Sequence, residues 1–176
     1  KDNTPSYTVN SSKAGTLTYG GSCGSSTTSA TKDNITITFN TLSDGTYSNC
    51  SLYVTSGTGV KGNTLSVTPF TVDTTAPTLS QATAVTTPTN DTTPSYVFSS
   101  NEAGTISYGG SCSSSTTSAS SGSNSIAFNT LSAETYSNCT ITVTDSAGNA
   151  SSALSVNTFV VDTTAPYISL ITAVTT

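Results

Sequence analysis

At 176 residues, with 7% charged side chains, a formal net charge of −5 and only four Lys plus Arg, the chain lacks the cationic surface that nucleic acid or an anionic membrane demands. No apolar run reaches the roughly 18 residues of a membrane-spanning helix, and without histidine a serine nucleophile would lack its usual base, so an enzyme is not expected. Ser and Thr make up roughly two-fifths of the residues; with charge scarce and β-branched residues plentiful, this polarity reads as hydroxyls on ordered strands rather than as disorder.

The chain opens on a polar lead-in before Pro5. Tyr7 and Val9 then alternate with Thr8 and Asn10, the period-2 pattern of a half-buried strand. Ala14-Gly15 predicts a turn, after which Leu17 and Tyr19 resume the alternation up to Gly20-Gly21. Residues 22–29 form a Ser/Thr run that reads as a flexible polar loop, with O-linked glycosylation as the competing reading. Ile35, Ile37 and Phe39 make the next strand, and residues 40–45 turn the chain. Cys50, Leu52 and Val54 then point inward, with Ser51, Tyr53 and Thr55 outward. A Gly-rich turn at 57–62 leads to inward Leu65 and Val67, and Phe70 and Val72 continue inward after Pro69. That proline predicts a bulge or a change of sheet.

The whole pattern then repeats. The hexapeptide Val72-Asp73-Thr74-Thr75-Ala76-Pro77 returns as Val161-Asp162-Thr163-Thr164-Ala165-Pro166, 89 positions later, and the two copies align without a gap. Tyr96 and Phe98, Ile106 and Tyr108, Ile126 and Phe128, then Ile141 and Val143, occupy the places of their counterparts. Leu79, Ala82 and Val85 add a further segment between the copies. About seven short strands per copy, with turn signals between and no helical periodicity, predict antiparallel β-sandwiches. The expected organisation is a repeat lacking its first strand (1–76), a complete repeat (77–165), and a closing segment (166–176). That segment is either the first strand of a following repeat or a donor strand for a neighbouring subunit. Lys1, with no Met before it, reads as a processed end or the edge of a window on a longer chain.

Cysteine falls as one pair per repeat: Cys23 and Cys50 recur as Cys112 and Cys139. Of the three connectivities four cysteines allow, only Cys23–Cys50 with Cys112–Cys139 respects the repeat. No CxxC and no His argue against zinc. Structural disulfides imply an oxidising compartment and hence an extracellular or cell-surface location. Pro77 and Pro166 restrict φ and should stiffen the joints between repeats.

Leu131-Ser132-Ala133-Glu134-Thr135-Tyr136, followed by Thr142-Val143-Thr144-Asp145-Ser146-Ala147-Gly148-Asn149 and then Phe159 to Pro166, resembles the tandem immunoglobulin-like repeats of bacterial secreted surface proteins and giant adhesins. The first copy keeps Leu42-Ser43-Asp44-Gly45-Thr46-Tyr47 but has Ser56-Gly57-Thr58-Gly59 where Asp145 to Gly148 stand in the second. The resemblance implies an all-β fold of tandem immunoglobulin-like sandwiches, here with one intradomain disulfide each. It places Tyr47 and Tyr136 where a tyrosine folds over the corner to upstream backbone. It also makes Asp73, Asp91, Asp145 and Asp162 candidate calcium ligands, since that cation takes oxygen donors. The competing role for Asp73 and Asp162 is to cap the turn of the joint. The implied function is a structural segment of an extracellular bacterial filament or surface stalk, its partners being other copies of the repeat, head-to-tail and laterally. The alternative is an adhesion module that binds a host receptor or glycan.

Overall fold

The computed structural model describes residues 1–172. The chain forms two compact units, Lys1–Thr75 and Ala76–Thr176, and no helix occurs among the described residues. In unit 1 the strands are β1 (Ser6–Ser11), β2 (Gly15–Gly20), β3 (Ser29–Ala30), β4 (Asp33–Thr38), β5 (Gly45–Tyr47), β6 (Ser51–Ser56), β7 (Leu65–Ser66) and β8 (Phe70–Val72). They pair antiparallel as β1-β4, β3-β2-β6-β7 and β5-β8. The chain therefore leaves one sheet after β7 and joins another at β8. Pro69 sits in the crossing, where a residue without an N–H costs the ladder nothing.

Unit 2 contains β9 (Leu79–Thr83), β10 (Ser95–Ser100), β11 (Gly104–Gly109), β12 (Ser118–Ala119), β13 (Gly122–Ala127), β14 (Thr135–Tyr136), β15 (Thr140–Thr144), β16 (Leu154–Ser155) and β17 (Phe159–Val160). Its sheets are β13-β10-β9, β12-β11-β15-β16 and β14-β17. The registers repeat at the sequence period: Ser6 faces Thr38 as Ser95 faces Ala127, and Leu17 faces Val54 as Ile106 faces Val143. A side-chain period of two explains this fidelity, because a one-residue slip would turn each buried set out to solvent.

The units differ in the neighbours of one strand. β10 has two neighbours, β13 and β9, whereas β1 has only β4 among the described residues. β9 runs antiparallel to β10, Leu79 opposite Ser100 and Gln81 opposite Phe98, with a register shift between Val97 and Phe98. The chain then buries Val85, whose N–H donates to Asn157 Oδ1 at 2.9 Å while Asn157 Nδ2 donates to the Val85 carbonyl at 3.1 Å. Residues 166–172, expected to form a strand, carry none; the remainder of that segment, 173–176, lies outside the described residues.

Each unit encloses its own core. In unit 2, Tyr96, Phe98, Ile141, Val143 and Phe159 are fully buried, and Phe159 stacks on Phe128 and Tyr136 with centroids 6.0 and 5.1 Å away. Unit 1 repeats the stack with Phe70 between Phe39 and Tyr47, but Phe70 is only partly buried.

The disulfides join Cys23 to Cys50 and Cys112 to Cys139, each with a sequence separation of 27. They sit where β2 with β6, and β11 with β15, come to an end, and so clamp one end of a central strand pair. Just before each bridge, Gly21 and Gly110 take φ of 77° and 75°. A side chain at either would strike the Asn49 or Asn138 carbonyl, so only glycine fits.

The Ser/Thr run at 22–29 and its counterpart at 111–118 carry hydrogen bonds to backbone. Ser25 Oγ donates to the Thr38 carbonyl at 2.6 Å, Thr27 N–H donates to Ser25 Oγ, and the run ends in the short strand β3. Ser114, Thr116 and β12 repeat the arrangement. Small hydroxyl residues here satisfy backbone groups that the loop would otherwise leave unpaired.

Candidate functional site

Tyr47 Oη donates to the Ser43 carbonyl at 2.8 Å and Tyr136 Oη to the Ser132 carbonyl at 3.2 Å, four residues upstream in each case. Both phenols are thereby committed to the corner between strands. Pro77 is buried and Pro166 exposed.

The four aspartates have local partners. Asp73 Oδ1 accepts the Thr75 N–H, Asp91 Oδ1 accepts the Thr93 N–H and hydroxyl, and Asp162 Oδ1 accepts the Thr164 N–H. Each is a side-chain cap on a turn two residues long. Asp145 accepts the Asn149 backbone N–H on Oδ1 and the Asn149 side-chain amide on Oδ2, both at 2.8 Å. Within unit 2, Asp91, Asp145 and Asp162 do not come together as one group among the described residues.

Asp145 instead closes the turn between β15 and β16, with the Gly148 N–H on its carbonyl and Gly148 at φ 87°. Ser56 does the same work in unit 1: its Oγ accepts the Val60 N–H at 3.1 Å, and Gly59 takes φ 83°. The turn needs an acceptor at this position, not a charge. Burial pushes the Asp145 carboxyl up. The Asn149 amide and backbone N–H, with the N–H groups of Ala147 and Gly148, outweigh it and hold the group below its ordinary value. A depressed carboxylate contributes stability above its unfolded pKa of about 3.9 and loses it as pH falls through the folded value. The stability difference between wild type and Asp145→Ser should therefore shrink as pH drops below about 4, as measured by thermal unfolding across pH.

Asp44 was not singled out by the sequence. Its carboxylate accepts the Thr74 N–H at 2.9 Å and the hydroxyls of Thr74 and Thr75, both at 2.7 Å, which ties the end of unit 1 to the corner after Leu42. Those hydroxyls, Thr75 foremost, hold its carboxyl below the usual range. Ala133 stands in its place in unit 2, so repeat symmetry gave no signal for it.

The feature with the character of a binding site is a groove of about 430 Å³ in unit 1. β1 forms one bank through Val9, Asn10 and Ser11; the other is built from Leu52, Val54, Val60 and Leu65. Lys61 Nζ lies 3.9 Å over the Tyr53 ring at its rim. Leu65, expected inward, is 39% exposed and Val60 is 67% exposed. Among the described residues β1 pairs with β4 alone.

Comparison with protein-family models, with curated proteins and with solved structures finds no match.

Proposed function

We propose that the chain is a structural segment of an extracellular bacterial filament or surface stalk, made of immunoglobulin-like sandwiches set head to tail. The observation that carries the reading is the duplication itself: two units with the same strand pairings, the same disulfide and the same corner tyrosine, at one constant offset. Repetition with so little divergence suits a part whose task is length and mechanical continuity, because each unit then presents equivalent ends to its neighbours. The disulfides are compatible with an extracellular location and resist opening of the strand pair they clamp.

The outward faces support the same reading. Hydroxyl and amide pairs cross the β1–β4 pair on the solvent side, Ser6 with Thr38, Thr8 with Thr36, and Asn10 with Asn34. Such uncharged ladders add cross-strand cohesion and leave little repulsion between neighbouring copies, which favours lateral association as well.

Electron microscopy of the native material tests this. A regular fibre or stalk with an axial repeat of one or two units is the expected result. Discrete monomers that retain tight receptor or glycan binding would overturn the proposal in favour of an adhesion module.

A further inference from the structure

We propose that Asp44-Gly45 is a modification site, a succinimide-forming dipeptide that residues 72–75 of unit 1 hold unreactive while they are docked. The inference goes beyond the filament reading and stands without it.

The sequence isolates this dipeptide. Among the aspartates Asp44 alone precedes a glycine, and no asparagine precedes one. Every other aspartate is followed by a residue whose Cβ shields the next amide nitrogen, a shield that Gly45 lacks. Asp44 and Gly45 are both exposed, and nothing beyond its chain neighbours lies within 4 Å of the place a Cβ on Gly45 would take. A ring formed here meets open space. The second copy has no equivalent, since Ala133-Glu134 occupies the same place.

The chemistry is internal to the chain. With the carboxyl protonated, the Gly45 nitrogen attacks Asp44 Cγ. A C–N bond forms, the C–OH bond breaks, and the hydroxyl leaves as water with the amide proton. Water then reopens the five-membered ring. Attack at the carbonyl next to Cα leaves the main chain running through Cγ, an isoaspartate with a free α-carboxylate. The water lost on closure is regained on opening, so the mass is unchanged and no co-reactant is required.

Folding restrains both reacting groups. The Asp44 carboxylate accepts the Thr74 N–H at 2.9 Å and the Thr74 hydroxyl at 2.7 Å on one oxygen, and the Thr75 hydroxyl at 2.7 Å on the other. The Thr75 and Thr74 hydroxyls hold the carboxyl below its usual range and so ionised, and the anion has no hydroxyl to expel. Gly45, which supplies the nucleophile, is paired with Val72 at the start of β5. One segment therefore holds the electrophile through its threonines and the nucleophile through its strand pairing. Thr74 and Thr75 are exposed and end unit 1, which places their release at the low end of local opening free energies. Isomerisation after such an opening adds a methylene to the main chain and shortens the side chain. The altered corner no longer presents its acceptor to Thr74 and Thr75, and a reversible opening becomes a lasting one.

The test uses the full chain, incubated at 37 °C and neutral pH beside a synthetic peptide of residues 40–49. Isoaspartate at position 44 is read by enzymatic methylation of its α-carboxyl and by electron-transfer fragmentation, which separates the isomers. The native chain should react at least about tenfold more slowly than the peptide, because a guarded site reacts in proportion to its open population. Thr74→Val with Thr75→Val should speed the native reaction about threefold to tenfold, the factor that hydrogen bonds of ordinary strength carry. Fully isomerised material should show a unit 1 transition lowered by roughly 4–8 °C and a unit 2 transition unmoved. A native chain as fast as the peptide, or a threonine variant no faster than wild type, would overturn the proposal. Should that variant fold poorly, wild type in rising denaturant replaces it, and a rate that stays constant as unit 1 opens counts equally against the site. None of these results depends on whether native material is fibrous, which alone decides the filament reading.

Discussion

Phe159→Ala should destabilise unit 2 by about 3–5 kcal/mol, and the equivalent Phe70→Ala should cost unit 1 clearly less. Phe159 has no exposed surface and is sandwiched between Phe128 and Tyr136, so truncation deletes a full aromatic burial and leaves a cavity lined by two rings that the surrounding sheets hold in place. Phe70 has the same stacking partners, Phe39 and Tyr47, but is only partly buried. Part of its transfer free energy is therefore never realised, and solvent already reaches the space it would vacate. Denaturant unfolding with unit-resolved hydrogen exchange measures both variants. Equal losses would show that the core of unit 1 is as closed as that of unit 2.

The second expected effect concerns the disulfides. Replacing both cysteines of one bridge by serine should cost about 3–4 kcal/mol in the chain-entropy account for a closed loop of this size. Both bridges span a sequence separation of 27, so the change in the unfolded chain is the same for each. The consequence should differ. Unit 2 has β9 and the buried Val85 as additional support, which unit 1 lacks. Domains of this size have total stabilities of roughly 5–10 kcal/mol. Cys23→Ser with Cys50→Ser should thus leave unit 1 near its unfolding threshold at 37 °C, while Cys112→Ser with Cys139→Ser lowers the melting temperature of a unit 2 that stays folded. Calorimetry of the two double variants checks the order. A reversed order would mean that the extra strand adds little to unit 2.

The comparison of units also explains how much of the molecule was readable beforehand. Strand positions followed from alternation, because Tyr7 with Val9, Leu17 with Tyr19 and Ile35 with Ile37 can bury one face only in an extended chain. The short strands β3 and β12 escaped notice, since a two-residue strand inside a Ser/Thr run has no periodicity to detect. Leu65 was expected inward on the same alternation; its pattern is correct for a covered edge, and the cover is missing among the described residues of unit 1. Asp44 gave no motif, because its partners Thr74 and Thr75 lie 30 and 31 residues away and meet it only through folding.

By itself the amino-acid order determined the all-β class, the offset of 89 and which side chains face a core, because each of these is a local or periodic property of the chain. Only the tertiary structure decided which edge is covered and which is open. β9 and β10 are consecutive strands, but the segment settles only where Leu79 and Val85 meet a surface built from strands more distant in sequence. The aspartates' partners are likewise a matter of folding: each accepts an N–H group of its own turn. Long-range pairing selects among contacts that a linear pattern leaves equally available.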